Sequence, residues 1–114
     1  WGRALERLRE NTALGIASTV LTETDLRETN TEGADAVEGI ANFLGATLNV
    51  PVIMVLRELP GGFIKGSLRS SNRDVSQIAK LLGGGGHKKA AGFTVKGTIV
   101  EKDGIWQVVE AATG

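Results

Sequence analysis

Residues 50–70 read VPVIMVLRELPGGFIKGSLRS, and this stretch decides the fold. Residues 50–59 are nearly continuous apolar, β-branched sequence, which predicts a strand buried on both faces. Pro60-Gly61-Gly62 predicts a turn, because proline suits its second position and glycine allows a positive φ. A second strand, predicted over Phe63–Ser70, returns antiparallel to the first.

The second strand of this hairpin alternates in character. Ile64 and Leu68 face one side, whereas Lys65, Ser67 and Arg69 share the other. A strand face that is basic and carries a hydroxyl is either solvated or lines a polar site.

The rest of the chain mixes helices and strands around the hairpin. Strands are predicted over residues 14–22 and 93–100, and helices over residues 1–12, 35–48, 74–82 and 105–112. Residues 24–34 are polar and predict a loop. Asp35 and Glu38 resemble a capping box, and Asp74 and Gly83 suit the two ends of the third helix. The expected fold is α/β, with a mixed β-sheet that contains an antiparallel hairpin and is covered by helices.

Composition limits the chemistry of the chain. Its 114 residues are enough for one domain, and the absence of cysteine excludes disulfides and cysteine-ligated metal sites. His87 is the single histidine. The longest apolar run is far shorter than a bilayer requires, so no membrane partner is expected. Because the chain begins with Trp1 and not with methionine, we expect it to be a fragment of a longer protein.

Charge is balanced overall but not locally. The chain has 13 basic and 13 acidic side chains, yet residues 65–89 carry six basic groups against Asp74 alone. A basic stretch on an acidic background favours one anionic ligand over general binding to nucleic acid, although scattered solvated charges would give the same count.

The segment from Gly83 to Gly92 reads GGGGHKKAAG and is the strongest candidate for chemistry. Consecutive glycines can turn unhindered backbone N–H groups towards an anion, and a following histidine can contact a phosphate or a base. The alternatives are a helix cap followed by a flexible linker and, for His87, a buried structural role. The segment is not a P-loop, because no Gly-Lys-Ser/Thr follows, and it is not a dinucleotide fingerprint, because its glycines precede a strand and do not open a helix.

Four motifs together resemble a known family. KGSLRSS at residues 65–71, DVSQIA at 74–79, GGGGHKKAAG at 83–92 and EGIAN at 38–42 resemble the DHH-associated C-terminal domain of DHH-family phosphoesterases. The likeness covers roughly residues 14–95. It is best to the branch that contains nanoRNA-degrading oligoribonucleases and pAp phosphatases.

The resemblance implies that two domains share the reaction, one binding the substrate and the other carrying out catalysis. Residues 1–114 would form a single substrate-binding domain, and the catalytic DHH domain, absent here, would precede it in the same chain. That partner domain would hold two divalent metal ions, usually manganese, so this fragment would have no cofactor, no metal ligand and no catalytic residue, and would be inactive alone. The parent protein would be a cytoplasmic phosphodiesterase or phosphatase acting on short single-stranded oligonucleotides or nucleoside bisphosphates.

The resemblance also implies which residues bind the substrate. Phosphate or base contacts would come from Arg69, Gly84, Gly85, Gly86 and His87. Second contacts would come from Lys65, Ser67, Ser70 and Asn42.

Two other functions remain open at this point. The chain could be a standalone nucleotide-binding module, for example for a cyclic dinucleotide, or a tRNA-binding accessory domain like that of alanyl-tRNA synthetases. The sequence also leaves open the exact substrate among nanoRNA, pAp, a linear dinucleotide and polyphosphate, the metal, and whether the protein forms a homodimer.

Overall fold

The structure, a computed structural model, describes residues 2–29 and 32–109. Its helices are α1 (Gly2–Glu6), α2 (Glu23–Thr29), α3 (Gly33–Thr47) and α4 (Ser76–Leu81). Its strands are β1 (Arg9–Asn11), β2 (Ile16–Leu21), β3 (Val52–Leu59), β4 (Phe63–Ser70), β5 (Gly85–Gly86), β6 (Ala90–Lys96), β7 (Thr98–Lys102) and β8 (Ile105–Val109). In these ranges no helix is both long and apolar enough to cross a membrane.

The strands form a mixed sheet of six, in the order β1-β2-β3-β4-β6-β5, and β7 pairs with β8 in a second small sheet. The predicted hairpin is present: β3 and β4 pair antiparallel, and the turn between them has positive φ at Gly61 and Gly62. β2 and β3 pair in parallel, so the chain must cross over between them, and α2 and α3 lie in that crossover. The predicted α/β class and mixed sheet are therefore confirmed.

Two apolar cores lie on opposite faces of the sheet. Ile40 and Leu44 of α3 pack with Val55 of β3 on one face. Leu56 of β3 packs with α4, and with Trp106 of β8, on the other face. Successive β3 residues thus enter different cores, which confirms that this strand is buried on both faces.

The loop predicted over residues 24–34 is wrong, because α2 extends to Thr29 and α3 begins at Gly33; residues 30–31 lie outside the described part of the chain. The Thr22 N–H donates to Asp25 Oδ2 at 2.9 Å, and the Asp25 N–H donates to Thr22 Oγ1 at 3.2 Å. These reciprocal bonds start a helix that its polar sequence does not reveal. The capping box predicted at Asp35 is also wrong, because α3 begins at Gly33 and has no side-chain cap.

The two ends of the chain also differ from prediction. The first helix ends at Glu6, and Arg9–Asn11 forms an edge strand on β2. The helix predicted over residues 105–112 is wrong: Ile105–Val109 is β8, and residues 110–112 lie outside the described part of the chain. The strand predicted over residues 93–100 is interrupted at Gly97, whose N–H donates to the Gly62 carbonyl at 2.9 Å, so that β7 pairs with β8 instead.

A buried arginine ties the N-terminal segment to this second sheet. Arg7 forms an ion pair with Asp25 and donates to Glu101 Oε1 at 2.8 Å, while Trp106 Nε1 donates to the Arg7 carbonyl at 2.7 Å. Burial raises the pKa of Asp25, but hydrogen bonds from Thr22 and Arg7 outweigh it and hold that pKa below its usual range. Arg7 is 7% exposed, and a charge that is buried to this extent is tolerated only because carboxylates pair with it.

Candidate functional site

The basic face of β4 consists of the half-buried residues Lys65, Ser67 and Arg69. It lies on the side of the sheet that α3 covers, since Arg69 pairs in register with Ile53 of the core beneath that helix. α3 packs mainly on β3, so the neighbouring surface of β4, β6 and β5 is less covered. The alternation predicted for this strand is confirmed.

A cavity of about 250 Å³, here called the glycine cavity, opens on this uncovered surface. The basic face lines it together with Gly85, Gly86, Ala90 and Gly92. Register aligns Ser67 with Gly92, and Gly92 with Gly85, so a row of small residues forms its floor. A Cβ built on Gly85 would meet no atom within 4 Å. The structure therefore brings the glycine run and Arg69 together in one cavity.

The glycine run is an ordered sheet edge and not the flexible linker that its composition allows. Gly85 and Gly86 pair antiparallel with β6. A Cβ on Gly84 would lie 2.0 Å from the Gly92 carbonyl oxygen, and one on Gly86 would lie 2.7 Å from the Ala91 Cα. Two of the four glycines are therefore required by the close approach of the two backbones.

Fewer amides of the run are free than the sequence suggests. The Gly84 N–H donates to the Ala79 carbonyl at 2.8 Å and is committed to ending α4. His87 and Ala90 exchange two backbone hydrogen bonds. The next pair along the two strands, Gly86 and Ala91, is therefore a pair whose backbones do not bond to each other. The N–H of Gly86 therefore points away from β6 and can reach a ligand.

A second cavity of about 310 Å³, here called the helix cavity, lies between α3 and the β3–β4 pair. Its apolar wall is formed by Ala41, Val50, Pro51 and Ile53. Its polar side is formed by Asn42, Arg69, Ser70, Ser71 and Lys89. The predicted site residues are thus divided between two cavities, and Arg69 borders both.

Arg69 is held by a residue that the sequence did not single out as a site residue. Its Nη1 donates to the Leu68 carbonyl at 2.9 Å, and its Nη2 forms an ion pair with Glu38 of α3. The Glu38 side chain is 53% exposed, so an anion from solvent can compete for the guanidinium. Glu38 and Asn42 are four residues apart, which places both on one face of α3. This spacing is the sequence feature from which a site role for Glu38 could have been predicted.

Ser70 borders the helix cavity but its hydroxyl has structural partners. It donates to the Pro51 carbonyl at 2.6 Å and accepts the Arg73 N–H at 2.8 Å. These bonds shape the turn that follows β4. A structural role therefore explains a serine at position 70, and no ligand contact is needed to explain it.

Gly84 and His87 line neither cavity. Gly84 is committed to packing, as shown above, whereas the His87 side chain is exposed next to the glycine cavity residue Gly86. The alternative of a buried structural histidine is therefore wrong. A contact from His87 to a ligand stays a prediction.

Asp74 is the acidic group within the basic segment. Hydrogen bonds from Ser76 hold the pKa of Asp74 below its usual range, and the positive charges of Lys88 and Lys80 act in the same direction. The Ser76 N–H donates to Asp74 Oδ1 at 3.0 Å, so Asp74 bonds the first residue of α4, although the N-cap position is Val75 and not Asp74 as predicted. The carboxylate of Asp74 therefore stays ionised and accepts hydrogen bonds at the start of α4.

Across residues 2–29 and 32–109, no three His, Asp or Glu side chains are grouped so that they could hold a metal ion. The donor set of this domain therefore does not fit the two-metal centre that the resemblance assigns to the DHH domain.

Comparison with known proteins identifies the family. The DHHA1 domain family matches residues 15–113. An exopolyphosphatase-related protein from Bacteroides fragilis has a similar structure, with a TM-score of 0.73 and 29% sequence identity, over 85% of this chain and 28% of that one. A pGpG-specific phosphodiesterase from Vibrio cholerae has a TM-score of 0.56 at 9% identity, over 83% of this chain and 31% of that one, and shares the fold alone. The chain belongs to the DHHA1 family, the DHH-associated domain predicted from the motifs, and it spans less than a third of either solved chain.

Proposed function

We propose that this domain binds the substrate for a DHH-family phosphoesterase that hydrolyses short oligonucleotides or nucleoside bisphosphates. One observation carries the proposal: Arg69 and Lys65 border the same small-residue cavity as Gly86, whose N–H is not used in pairing with β6. Two cations and a backbone donor around an open floor suit a phosphate group, because guanidinium and amide N–H groups are strong phosphate donors.

The size of the cavity supports a site that is completed by another domain. Complete ligand pockets are typically about 300–1,000 Å³. The glycine cavity, at about 250 Å³, is smaller and is large enough for one phosphate with part of its sugar. The rest of the substrate would be held by an N-terminal DHH domain of the same cytoplasmic protein, which would also supply the divalent metal, expected to be manganese.

The motif resemblance favours the oligoribonuclease and pAp phosphatase branch over others. The relative from Bacteroides fragilis is described as exopolyphosphatase-related, so a phosphate chain belongs among the candidate substrates. A linear dinucleotide stays among the candidates as well, and pGpG is the one named for the phosphodiesterase that shares this fold. In this proposal Arg69 and Lys65 bind the backbone phosphate, Gly86 donates its N–H, and Ser67 and His87 contact the neighbouring sugar or base.

The proposal is tested by titrating this chain with pAp and with a 5′-phosphorylated dinucleotide, followed by NMR chemical shifts. Arg69→Ala should weaken binding by about 1.5–3 kcal/mol, the loss of one charge-assisted hydrogen-bonded contact. Arg73→Ala is the matched control, because Arg73 is exposed, lies four residues away and borders neither cavity.

Equal affinities of wild type and Arg69→Ala would refute the phosphate role of this cavity. Hydrolysis is a separate measurement: the parent protein, with manganese, should cleave one member of a panel of pAp, pGpG, pApA and polyphosphate. This chain alone should cleave none of them.

A further inference from the structure

The helix cavity is a second concave surface that the phosphate site does not use. At about 310 Å³ it has room for about ten water molecules at ~30 Å³ each, which is more space than one purine ring system fills. We propose that it is a nucleobase subsite, which takes the base of the nucleotide whose phosphate Arg69 binds. This inference rests on the proposed function and adds where the base lies.

The first argument is the chemistry of the walls. Ala41, Val50, Pro51 and Ile53 give an apolar surface on one side. A flat heteroaromatic ring gains from contact with such a surface, whereas a second phosphate would lose hydration there. The occupant favoured by this wall is therefore a base and not another anion.

The second argument is a polar group among the residues that line the cavity. Asn42 is exposed, borders the cavity, and has no hydrogen-bond partner for its side chain among the described residues. An amide offers one acceptor and a donor side by side, which is the pattern that the edge of adenine matches. Ser70 and the Pro51 carbonyl are bonded to each other, so they do not compete for the same ring edge.

The third argument is that Arg69 lies between the two cavities. It borders the glycine cavity on one side and the helix cavity on the other. A nucleotide whose phosphate contacts Arg69 can therefore place its base on either side, and only the helix cavity provides an apolar wall with a free amide. Lys89, on the polar side of the same cavity, can pair with a second phosphate at the rim.

Gly45 provides a variant that fills the subsite. Gly45 also lines the helix cavity, and a Cβ there would lie 3.6 Å from Ile53 Cδ1, an ordinary contact, so Gly45→Leu places a side chain at the cavity wall without a clash at its base. Leucine also favours the helix more than glycine. Ala46→Leu is the matched control, because Ala46 is the next residue of α3, is exposed and borders neither cavity.

The experiment compares AMP with ribose 5-phosphate, which differ by the base, in titrations of this chain. Gly45→Leu should weaken AMP binding by about fivefold, the lower end of the range for losing one stacked base, and leave ribose 5-phosphate unchanged. Asn42→Ala should weaken AMP binding in the same selective way. Ala46→Leu should change neither, and thermal unfolding should show that all variants are folded.

The inference is overturned if folded Gly45→Leu and Asn42→Ala bind AMP as well as wild type does. It is also overturned if they lose AMP and ribose 5-phosphate equally. Arg69→Ala separates this result from the proposed function: a loss of both ligands in Arg69→Ala keeps the phosphate site, whatever the base subsite variants do.

Discussion

Gly84 and Gly85 are adjacent in the sequence, yet alanine should have opposite effects at the two positions. A Cβ on Gly85 meets nothing within 4 Å, and Gly85 lines the glycine cavity. Gly85→Ala should therefore keep the free energy of unfolding within about 0.5 kcal/mol of wild type. It should still weaken phosphate binding several-fold, because its methyl group occupies the floor on which the ligand lies.

Gly84→Ala should instead damage the fold. Its Cβ would lie 2.0 Å from the Gly92 carbonyl oxygen, where an ordinary contact begins at 3.4 Å, so β5 would have to move by more than an ångström. That movement disturbs the pairing of β5 with β6 and the 2.8 Å bond from Gly84 N to Ala79 O. Overpacking and one strained hydrogen bond together cost about 2–4 kcal/mol.

Urea unfolding followed by tryptophan fluorescence measures both variants on the same scale, and a phosphate titration measures binding. The reasoning is refuted if Gly84→Ala is as stable as Gly85→Ala. It is also refuted if Gly85→Ala binds the phosphate ligand as tightly as wild type does.

Three further predictions concern other contacts. Glu38→Gln removes the ion-pair partner of Arg69, so nucleotide affinity should rise by up to about fivefold, since an exposed pair is worth about 0.2–1 kcal/mol; the titration above measures this. Asp25→Asn should lower stability at pH 7 by about 3 kcal/mol, because it leaves Arg7 buried with one carboxylate fewer. The pKa of Asp25 is lowered in the fold, so its stabilisation is present above its unfolded pKa and lost as the pH falls through the folded pKa; urea titrations from pH 7 to pH 2 should show the difference shrinking below about pH 4. Leu44→Ala, at a side chain 1% exposed, should cost about 2–5 kcal/mol in the same urea assay.

Each of these predictions has a contrary result. A fall in affinity for Glu38→Gln would mean that Glu38 orients Arg69 for the ligand and does not compete with it. A difference between wild type and Asp25→Asn that stays constant with pH would exclude the ionised carboxylate as the source of stability. A small effect of Leu44→Ala would mean that α3 contributes little to the core beneath it.

The elements that could be predicted are those whose signal is local. β3, its turn and β4 follow from an apolar run, a proline with two glycines, and alternation, all within residues 50–70. α3 follows from apolar residues at helical spacing. In each case the side chains that define the element also bury its surface, so their spacing is sufficient.

α2 and β8 could not be predicted in the same way. α2 is polar and depends on reciprocal bonds between Thr22 and Asp25, reinforced by Arg7 from elsewhere in the chain. Apolar residues in the segment that forms β8 suit a strand as well as a helix, and pairing with β7 decides between them. A partner distant in sequence determines the result in both cases.

For the candidate site, the sequence identified the basic face of β4 and the glycine run. The resemblance added the prediction that these two features bind one substrate. Alternation along a strand is a property of the backbone and needs no other segment. The tertiary structure alone decided that Asn42 and Ser70 border a different cavity from Lys65 and Ser67, and that Gly84 uses its amide internally. It also decided that Glu38 meets Arg69, 31 residues away in sequence. Such facts depend on which strand edges and helix faces pack together, and long-range packing has no signature in the spacing of a single segment.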